Sequence, residues 1–432
     1  MTPGARLQAA IDILSEIGRT GYPADRAFDA WARSSRFAGS KDRAAVSEIV
    51  FGVLRHRAEL AAALGSEEPR LLALGAVALI DGAGAAEAMA LADGARHAPA
   101  PLAREEAAAL RGAVLPGPDA PSWVRLNYPQ WLHAEFEAAF GPDVEAEMAA
   151  LMGRAPADLR VNALKGGREA ALAALAGEGV PAEPTPWSPW GLRLAGRANV
   201  TGLEVFRSGS VEVQDEGSQL ACLLTGAKPG EQIADLCAGG GGKSLALAAM
   251  MGNRGQIHAC DTDRRRLGKL MPRAQRAGAR NIQTHFIKPH MLPGEADPDL
   301  AGFEGRMDCV LVDAPCSGTG AWRRNPDARW RLTPGLLANY QAIQAEVLAR
   351  GARLVRPGGR LVYVTCSLLP GENERQVEAF LSGRPDFVQR DWQAGWPEGL
   401  PLPPAPPGPA LRLSPARSGT DGFFAALLER KG

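Results

Sequence analysis

Apolar residues recur at helical spacing through the first part of the chain. Leu7, Ala10, Ile11, Leu14 and Ile17 line one helix face. Val46, Ile49, Val50, Val53 and Leu54 line another, after an N-cap expected at Ser40. Leu71, Leu72, Leu74, Val77 and Leu79 form a third apolar group, so residues 5–96 are predicted to be a helix bundle with its own core. Pro99, Pro101, Pro116, Pro118 and Pro121 then bracket one short helix, which makes 97–121 the best linker candidate. Residues 123–140 and 144–152 read as two helices, 159–162 as a strand and 168–176 as a helix. Together they form a small α+β piece ending near Phe206.

From Asp215 the pattern becomes strand, helix, strand. Residues 232–236 read as a strand that runs into a glycine-rich turn, and 245–251 as the helix after it. Residues 256–260 form the next strand, ending at Asp261, and 281–287, 308–312 and 360–364 are further strands with helices between. Such alternation predicts an α/β domain with a mostly parallel sheet covered on both faces. Residues 396–410 are Pro-rich and read as a loop, and 423–429 as a last strand at an edge.

At 432 residues the chain is too long for one ordinary core, and its 46% hydrophobic content is that of a folded protein. No apolar run is long enough to span a bilayer, and the first residues carry no signal-peptide core, so a cytoplasmic protein without membrane contact is expected. All six cysteines lie in the C-terminal half, and none forms a C-x-x-C pair or has a histidine at ligand spacing. Zinc and a disulfide framework are therefore disfavoured, which leaves core fillers or catalysts. Charge balances at 48 basic against 48 acidic residues, without a global polyanion-binding signature. Locally, Arg264, Arg265, Arg266, Lys269, Arg273, Arg276 and Arg280 face one acid, Asp263. This run is either a solvated helix face or a phosphate contact.

The chemistry concentrates at four strand ends. Residues 309–312 are an apolar strand running into Asp313, Ala314, Pro315 and Cys316, which cannot continue it. Asp313 and Cys316 therefore stand at the carboxyl edge, where open α/β sheets bind ligands. The turn Cys237, Ala238, Gly239, Gly240, Gly241, Gly242 and Lys243 lets backbone pass close to a ligand. It fails the P-loop pattern at Cys237 and the dinucleotide fingerprint at Ser244. Asp261 ends the next strand, where an acid can bond a ribose hydroxyl. A glycine turn and a ribose acid without a phosphate cradle suit a nucleoside-like cofactor such as S-adenosylmethionine. Residues 360–364 are again a buried strand, which delivers Cys366 to the same edge. Two thiols facing one cofactor turn suit methylation of cytosine at C5, a carbon that becomes nucleophilic only after a thiolate adds to C6. Asp313 is placed to hold the N3/N4 edge of the base and to offset charge in the adduct. Spacing alone does not say which thiol attacks.

These residues carry a family resemblance. Asp-Ala-Pro-Cys-Ser-Gly-Thr-Gly (313–320), Thr-Cys-Ser-Leu-Leu-Pro-Gly-Glu-Asn-Glu (365–374) and Asp-Gly-Phe-Phe (421–424) resemble the Sun-type RNA (cytosine-5) methyltransferases, over residues 213–428. Upstream, Gly-Ser-Lys-Asp-Arg (39–43) and Phe-Gly-Val-Leu-Arg (51–55) are similar to the NusB-like RNA-binding domain that leads the bacterial 16S rRNA enzymes of this family. The resemblance implies a NusB-like helical domain with linker over 1–121, a small α+β subdomain over 122–206 and a Rossmann-like methyltransferase domain over 207–432. It implies Cys366 as nucleophile and Cys316 in proton removal and product release. It also implies Cys237, Ala238, Gly239, Gly240, Gly241, Gly242, Lys243, Asp261 and Asp313 as the cofactor lining. The substrate would be 16S rRNA, the cofactor S-adenosylmethionine, the protein a monomer without a metal.

Two positions depart from the family pattern. Its turn is typically Cys-Ala-Ala/Ser-Pro-Gly-Gly-Lys, whereas Gly239 and Gly240 occupy the third and proline positions here and loosen the loop. Lys288, Pro289 and His290 stand where an adenine-side Asp is common. After the Pro-Cys turn, Arg323 and Arg324 are candidates to hold RNA backbone and Trp322 to stack on a splayed base, or the segment is a loop with an aromatic plug. Rival functions are a DNA C5 methyltransferase, an amino-group methyltransferase, which would need neither Cys, and a ribosome-assembly factor with a degenerate methyltransferase domain that only grips RNA.

Overall fold

Thr2 opens the first helix, Pro3–Thr20, by accepting a hydrogen bond from Ala5 N, and Gly21 closes it in the left-handed conformation. The computed structural model to which this helix belongs describes residues 1–196, 198–289 and 298–432. Ser40 is the first residue of the next long core helix, Ser40–Arg55, not its cap. Asp42 reaches back instead: its Oδ2 accepts from Gly39 N at 3.3 Å, while its Oδ1 pairs with Arg6 Nε at 2.8 Å. An acid two residues beyond the first turn position has the reach for that bond, which Ser40 lacks.

The chain divides into two compact units, Met1–Gly153 with Trp322–Thr333, and Arg154–Ala321 with Pro334–Gly432. The first is helical around Leu7, Leu14, Val46, Val50, Leu60, Leu74 and Leu110. Leu110 lies on the helix Arg104–Gly112 and is 1% exposed, so the Pro-bracketed 97–121 stretch is packed down rather than free. The single helix expected over 123–140 is broken into Ser122–Arg125 and His133–Phe140. Asn127 at φ +54° and Pro129, which lacks an N–H, interrupt it.

The segment Trp322–Thr333 is built into this helical unit. Trp322 is 1% exposed, edge-on to Phe136 with Arg329 5.1 Å from its ring, and Arg329 donates to Asn127 O at 2.8 Å. Trp330 Nε1 donates to Leu54 O at 2.6 Å. Of the two readings of this stretch, the aromatic plug is the one found. Trp322 cannot stack on a base and Arg323 is buried.

The second unit holds two sheets. A small antiparallel one comprises β1 (Asp158–Val161), β2 (Ala182–Pro184), β3 (Gly191–Leu194) and β4 (Val211–Val213), in the order β2-β3-β1-β4. Only β1 was legible in the sequence. The large sheet comprises β5 (Gln232–Asp235), β6 (Gln256–Asp261), β7 (Ile282–Phe286), β8 (Met307–Asp313), β9 (Val355–Thr365), β10 (Phe387–Arg390), β11 (Leu411–Leu413) and β12 (Phe423–Arg430). Its order is β10-β12-β9-β8-β5-β6-β7, with β11 on β12, and β5 to β9 run parallel. Side chains alternate between two cores, Ile233, Leu311 and Val362 in one, Ala234, Val312 and Tyr363 in the other, so this Rossmann-like sheet is covered on both faces. The last strand is not at an edge: β12 lies between β9 and β10, antiparallel to both, and Phe423 to Leu428 are all buried. Its near-continuous apolar run is the mark of an interior strand.

Among the described residues no helix is long and apolar enough to cross a membrane. His290, part of the departure noted above, lies outside the described residues.

Candidate active site

β8 and β9 pair in parallel, with Asp313 opposite Val364, so both deliver their following residues to one edge. Ala314 N donates to Val364 O at 2.9 Å and Gly320 N to Cys366 O at 3.0 Å, stitching the Pro-Cys turn to the end of β9. The result is a thiol pair: Cys316 Sγ and Cys366 Sγ are 3.4 Å apart. Hydrogen bonding to Cys366 and then burial push the Cys316 thiol well above its ordinary range, with the charges of Cys366 and Glu372 adding to the effect.

A cavity of about 360 Å³ opens beside the pair. Cys237, Asp261, Asp313, Cys316 and Cys366 all line it. The rest of the glycine turn does not, because its groups are spent on holding the turn. Gly239 N donates to Asp261 Oδ2 at 2.7 Å, and Asp263 N donates to Asp261 Oδ1 at 2.7 Å. Gly240 O accepts from Arg273 Nη1. Gly239 and Gly241 take φ of +55° and +83°, and a Cβ on Gly241 would lie 2.4 Å from Leu270 Cγ. Glycine is required there by both conformation and space. Lys243 turns to Asp313, Nζ to Oδ2 at 2.6 Å, and its ammonium sits 5.5 Å from the Phe423 ring centre.

The other cysteines are core fillers. Cys222, Cys260 and Cys309 are fully buried, and burial pushes the Cys222 thiol up to about 12 and Cys309 to about 11. Burial does the same to Cys237, reinforced by the charges of Asp313, Asp235 and Asp261.

The basic run resolves by position. Asp263 caps the short helix Arg264–Leu267 by accepting from Arg265 N and Arg266 N. Arg273 and Arg276 both pair with buried Glu212, and Arg264 stacks 3.8 Å from the Phe286 ring centre. Arg265, Lys269 and Arg280 remain exposed.

Several residues of this site were not singled out from sequence. Ile343, Glu346, Val347 and Arg350, on the helix Pro334–Leu354, line the cavity opposite the strand ends. Glu372 is fully buried beneath both thiol-bearing turns. The signal for Glu372 was an acid inside the apolar-flanked 365–374 stretch, where a charge needs a reason.

Comparison with known proteins gives the family. A family model described as 16S rRNA methyltransferase RsmB/F matches residues 222–429, and a ferredoxin-like domain model of RsmF/B-like methyltransferases matches 128–201. The probable ribosomal RNA small subunit methyltransferase B of Synechocystis sp. is 35% identical over 311 residues, 71% of this chain and 67% of that protein. The Bacillus subtilis protein of the same description is 32% identical over 71% of this chain and 67% of its own length. Among solved structures, that of PH0851 aligns with 100% of this chain and 99% of its own at a TM-score of 0.75 and 27% identity. A methyltransferase homologue from Pyrococcus horikoshii aligns with 72% of this chain and 97% of its own at 0.58 and 28%. The chain belongs to the RsmB/F family of 16S rRNA methyltransferases, whose cofactor is S-adenosylmethionine.

Proposed function

We propose that this protein methylates C5 of a cytosine in small-subunit ribosomal RNA, with Cys366 as the nucleophile and Cys316 as the base that frees the product. The observation that carries the reading is the pair of thiols 3.4 Å apart in one cavity with Asp313. The names of the relatives support ribosomal RNA of the small subunit as the substrate.

The cavity lining fits the cofactor. The Asp261 carboxylate suits ribose hydroxyls, Leu236, Ile287 and Val347 suit a flat apolar face such as adenine, and the thiols lie at the same cavity. Asp261 would hold the sugar and Cys237 the close backbone approach. When bound, S-adenosylmethionine supplies the methyl group as a sulfonium. The target cytosine must leave its stack for its C6 to meet Cys366.

The chain's own residues divide the proton work. Cys316 keeps its proton in the resting site, because its thiol bonds to the Cys366 sulfur. Cys366 gives its proton to solvent and adds to C6 through its sulfur, and the electron pair moves into the ring and onto C5. Asp313, tied to Lys243, accepts from the exocyclic amine and holds the base edge. Adduct formation turns the Cys366 sulfur into a neutral thioether. That removes the thiol partner that helps hold the proton on Cys316, which then passes it to solvent. As thiolate it then takes the proton from methylated C5, the C6–S bond breaks, and the electron pair returns to Cys366. The base thus becomes available at the step that needs it.

The test uses unmodified small-subunit rRNA and methyl-labelled S-adenosylmethionine. Wild type should make 5-methylcytosine, Cys366→Ala should transfer no label and form no covalent protein–RNA band, and Cys316→Ala should trap such a band on a denaturing gel. A band that requires Cys316 and survives Cys366→Ala would reverse the two thiols. Label found on any atom other than cytosine C5 would overturn the reading.

A further inference from the structure

Glu372 closes a short 3-10 turn, Pro370–Glu372, and is fully buried, yet its hydrogen-bond partners among the described residues include no lysine or arginine. Its Oε1 accepts from Ser317 N at 2.8 Å and from Gln344 Nε2 at 2.9 Å. Its Oε2 accepts from Ser367 Oγ at 2.5 Å and from Ser317 Oγ. The backbone carbonyl of Glu372 accepts from Tyr363 Oη at 2.6 Å, which fixes the turn on β9. Burying a carboxylate without a cation is costly, and here four hydrogen bonds to the charged acceptor offset that cost.

The donors identify what the acid is for. Ser317 directly follows Cys316, and Ser367 directly follows Cys366. One carboxylate therefore grips the residue after each thiol, while Gln344 Nε2 also donates to Pro315 O at 2.9 Å on the other side of Cys316. Asn373 continues the frame, accepting from Thr365 Oγ1 at 2.6 Å and donating to Ser367 O at 2.9 Å. Glu372 does not line the cavity, so it acts through its neighbours rather than on a substrate.

We propose that Glu372 is a positioning residue: its carboxylate clamps the Cys316 and Cys366 turns in the register that keeps the two thiols 3.4 Å apart for the methyl-transfer cycle. The proposal rests on the two-thiol reading above. A displacement of about 1 Å in reacting groups can cost about 100-fold in rate. Loss of the clamp is therefore expected in kcat and not in substrate binding.

The experiment measures methyl transfer by the full chain on small-subunit rRNA, with KM for RNA and for S-adenosylmethionine read separately from kcat. Glu372→Ala should lower kcat about 100-fold with both KM values within about twofold of wild type. Glu372→Gln should fall between, because the Ser317 and Ser367 hydroxyls can turn to accept from the new amide. Ser317→Ala and Ser367→Ala, which leave the acid in place, should each lower kcat by a smaller factor. Added to Cys316→Ala, Glu372→Gln should slow the appearance of the covalent band.

The proposal is overturned if Glu372→Gln and both serine variants turn over at the wild-type kcat. It is also overturned if any loss of kcat tracks loss of S-adenosylmethionine binding and thermal midpoint in all of them. A wild-type protein that puts no methyl on cytosine C5 would instead remove the two-thiol reading, and this clamp with it. The same assay thus separates the two failures.

Discussion

Lys243 and Asp313 form an ion pair, Nζ to Oδ2 at 2.6 Å, that joins the helix after the glycine turn to the carboxyl end of β8. The lysine side chain is 10% exposed and the carboxylate 31%, so the pair sits between the buried and the surface regimes. Burial lowers the Lys243 pKa, but the Asp313 charge and hydrogen bond outweigh it and leave the ammonium more firmly protonated than usual. Lys243 therefore serves the Asp313 side of the cavity and is not one of its lining residues. Lys243→Met is expected to cost about 1–3 kcal/mol, below the figure for a fully buried pair and above that for an exposed one. Urea unfolding of Lys243→Met, Asp313→Asn and the double variant would measure it. The double variant should be less destabilised than the sum of the singles, and strict additivity would deny the coupling.

Gly320 and Gly422 are crossed so closely that neither has room for a side chain. A Cβ on Gly320 would lie 2.3 Å from Gly422 O, and one on Gly422 would lie 2.7 Å from Gly320 Cα and 2.5 Å from Leu368 Cδ2. Gly422 N also donates to Gly320 O at 2.9 Å. The crossing anchors the Asp421 to Phe423 stretch on the turn that carries Cys316, whose far end is bonded to Cys366 O through Gly320 N. Gly320→Ala must push backbone against backbone and is expected to destabilise by about 1–3 kcal/mol. Its kcat should fall further than that loss explains, because the displaced turn is the one holding a thiol. Denaturant unfolding alongside turnover would separate the two, and a Gly320→Ala protein with wild-type turnover would show that the crossing does not set the thiol geometry.

What the sequence made legible at this site, and what it hid, follow from the range of the interactions. Cys316 and Cys366 were visible because an apolar β-strand running into a polar turn marks a strand's carboxyl end, and two such ends in a parallel sheet share an edge. The Gly239 to Gly242 turn was visible for the same local reason. Glu372 was not, since its purpose lies in Ser317, 55 residues away, and in Gln344, 28 away. The Lys243 and Asp313 pairing was hidden likewise, each residue being legible only as part of its own motif. Trp322 was open between two readings because local sequence cannot say that Phe136 covers it. β12 was misplaced at an edge because its position depends on β10, a short strand with only Phe387 buried and no alternation to betray it.

Asp235 makes stability depend on pH in a direction opposite to that of a paired carboxylate. It ends β5 fully buried, with Ser244 Oγ donating to Oδ2 at 2.6 Å and no partner for Oδ1 among the described residues. Burial pushes its pKa up to about 7, against the lowering effect of Ser244. Between the ordinary carboxylate range near 4 and that value, the folded chain holds a proton that the unfolded chain has released. Stability from this group is thus greatest below about pH 4, declines as pH rises toward 7 and is level above it. The whole decline is at most about 4 kcal/mol, from about three pKa units. Asp235→Asn keeps the shape and the Ser244 contact but never ionises. Relative to wild type it should gain stability steadily from pH 4 to pH 7 and hold that gain at pH 8. Urea unfolding midpoints of the two proteins at half-unit pH intervals would read the difference directly. A difference that stays flat across this range would mean that Asp235 is ionised in the fold throughout, with a partner for Oδ1 that offsets its burial.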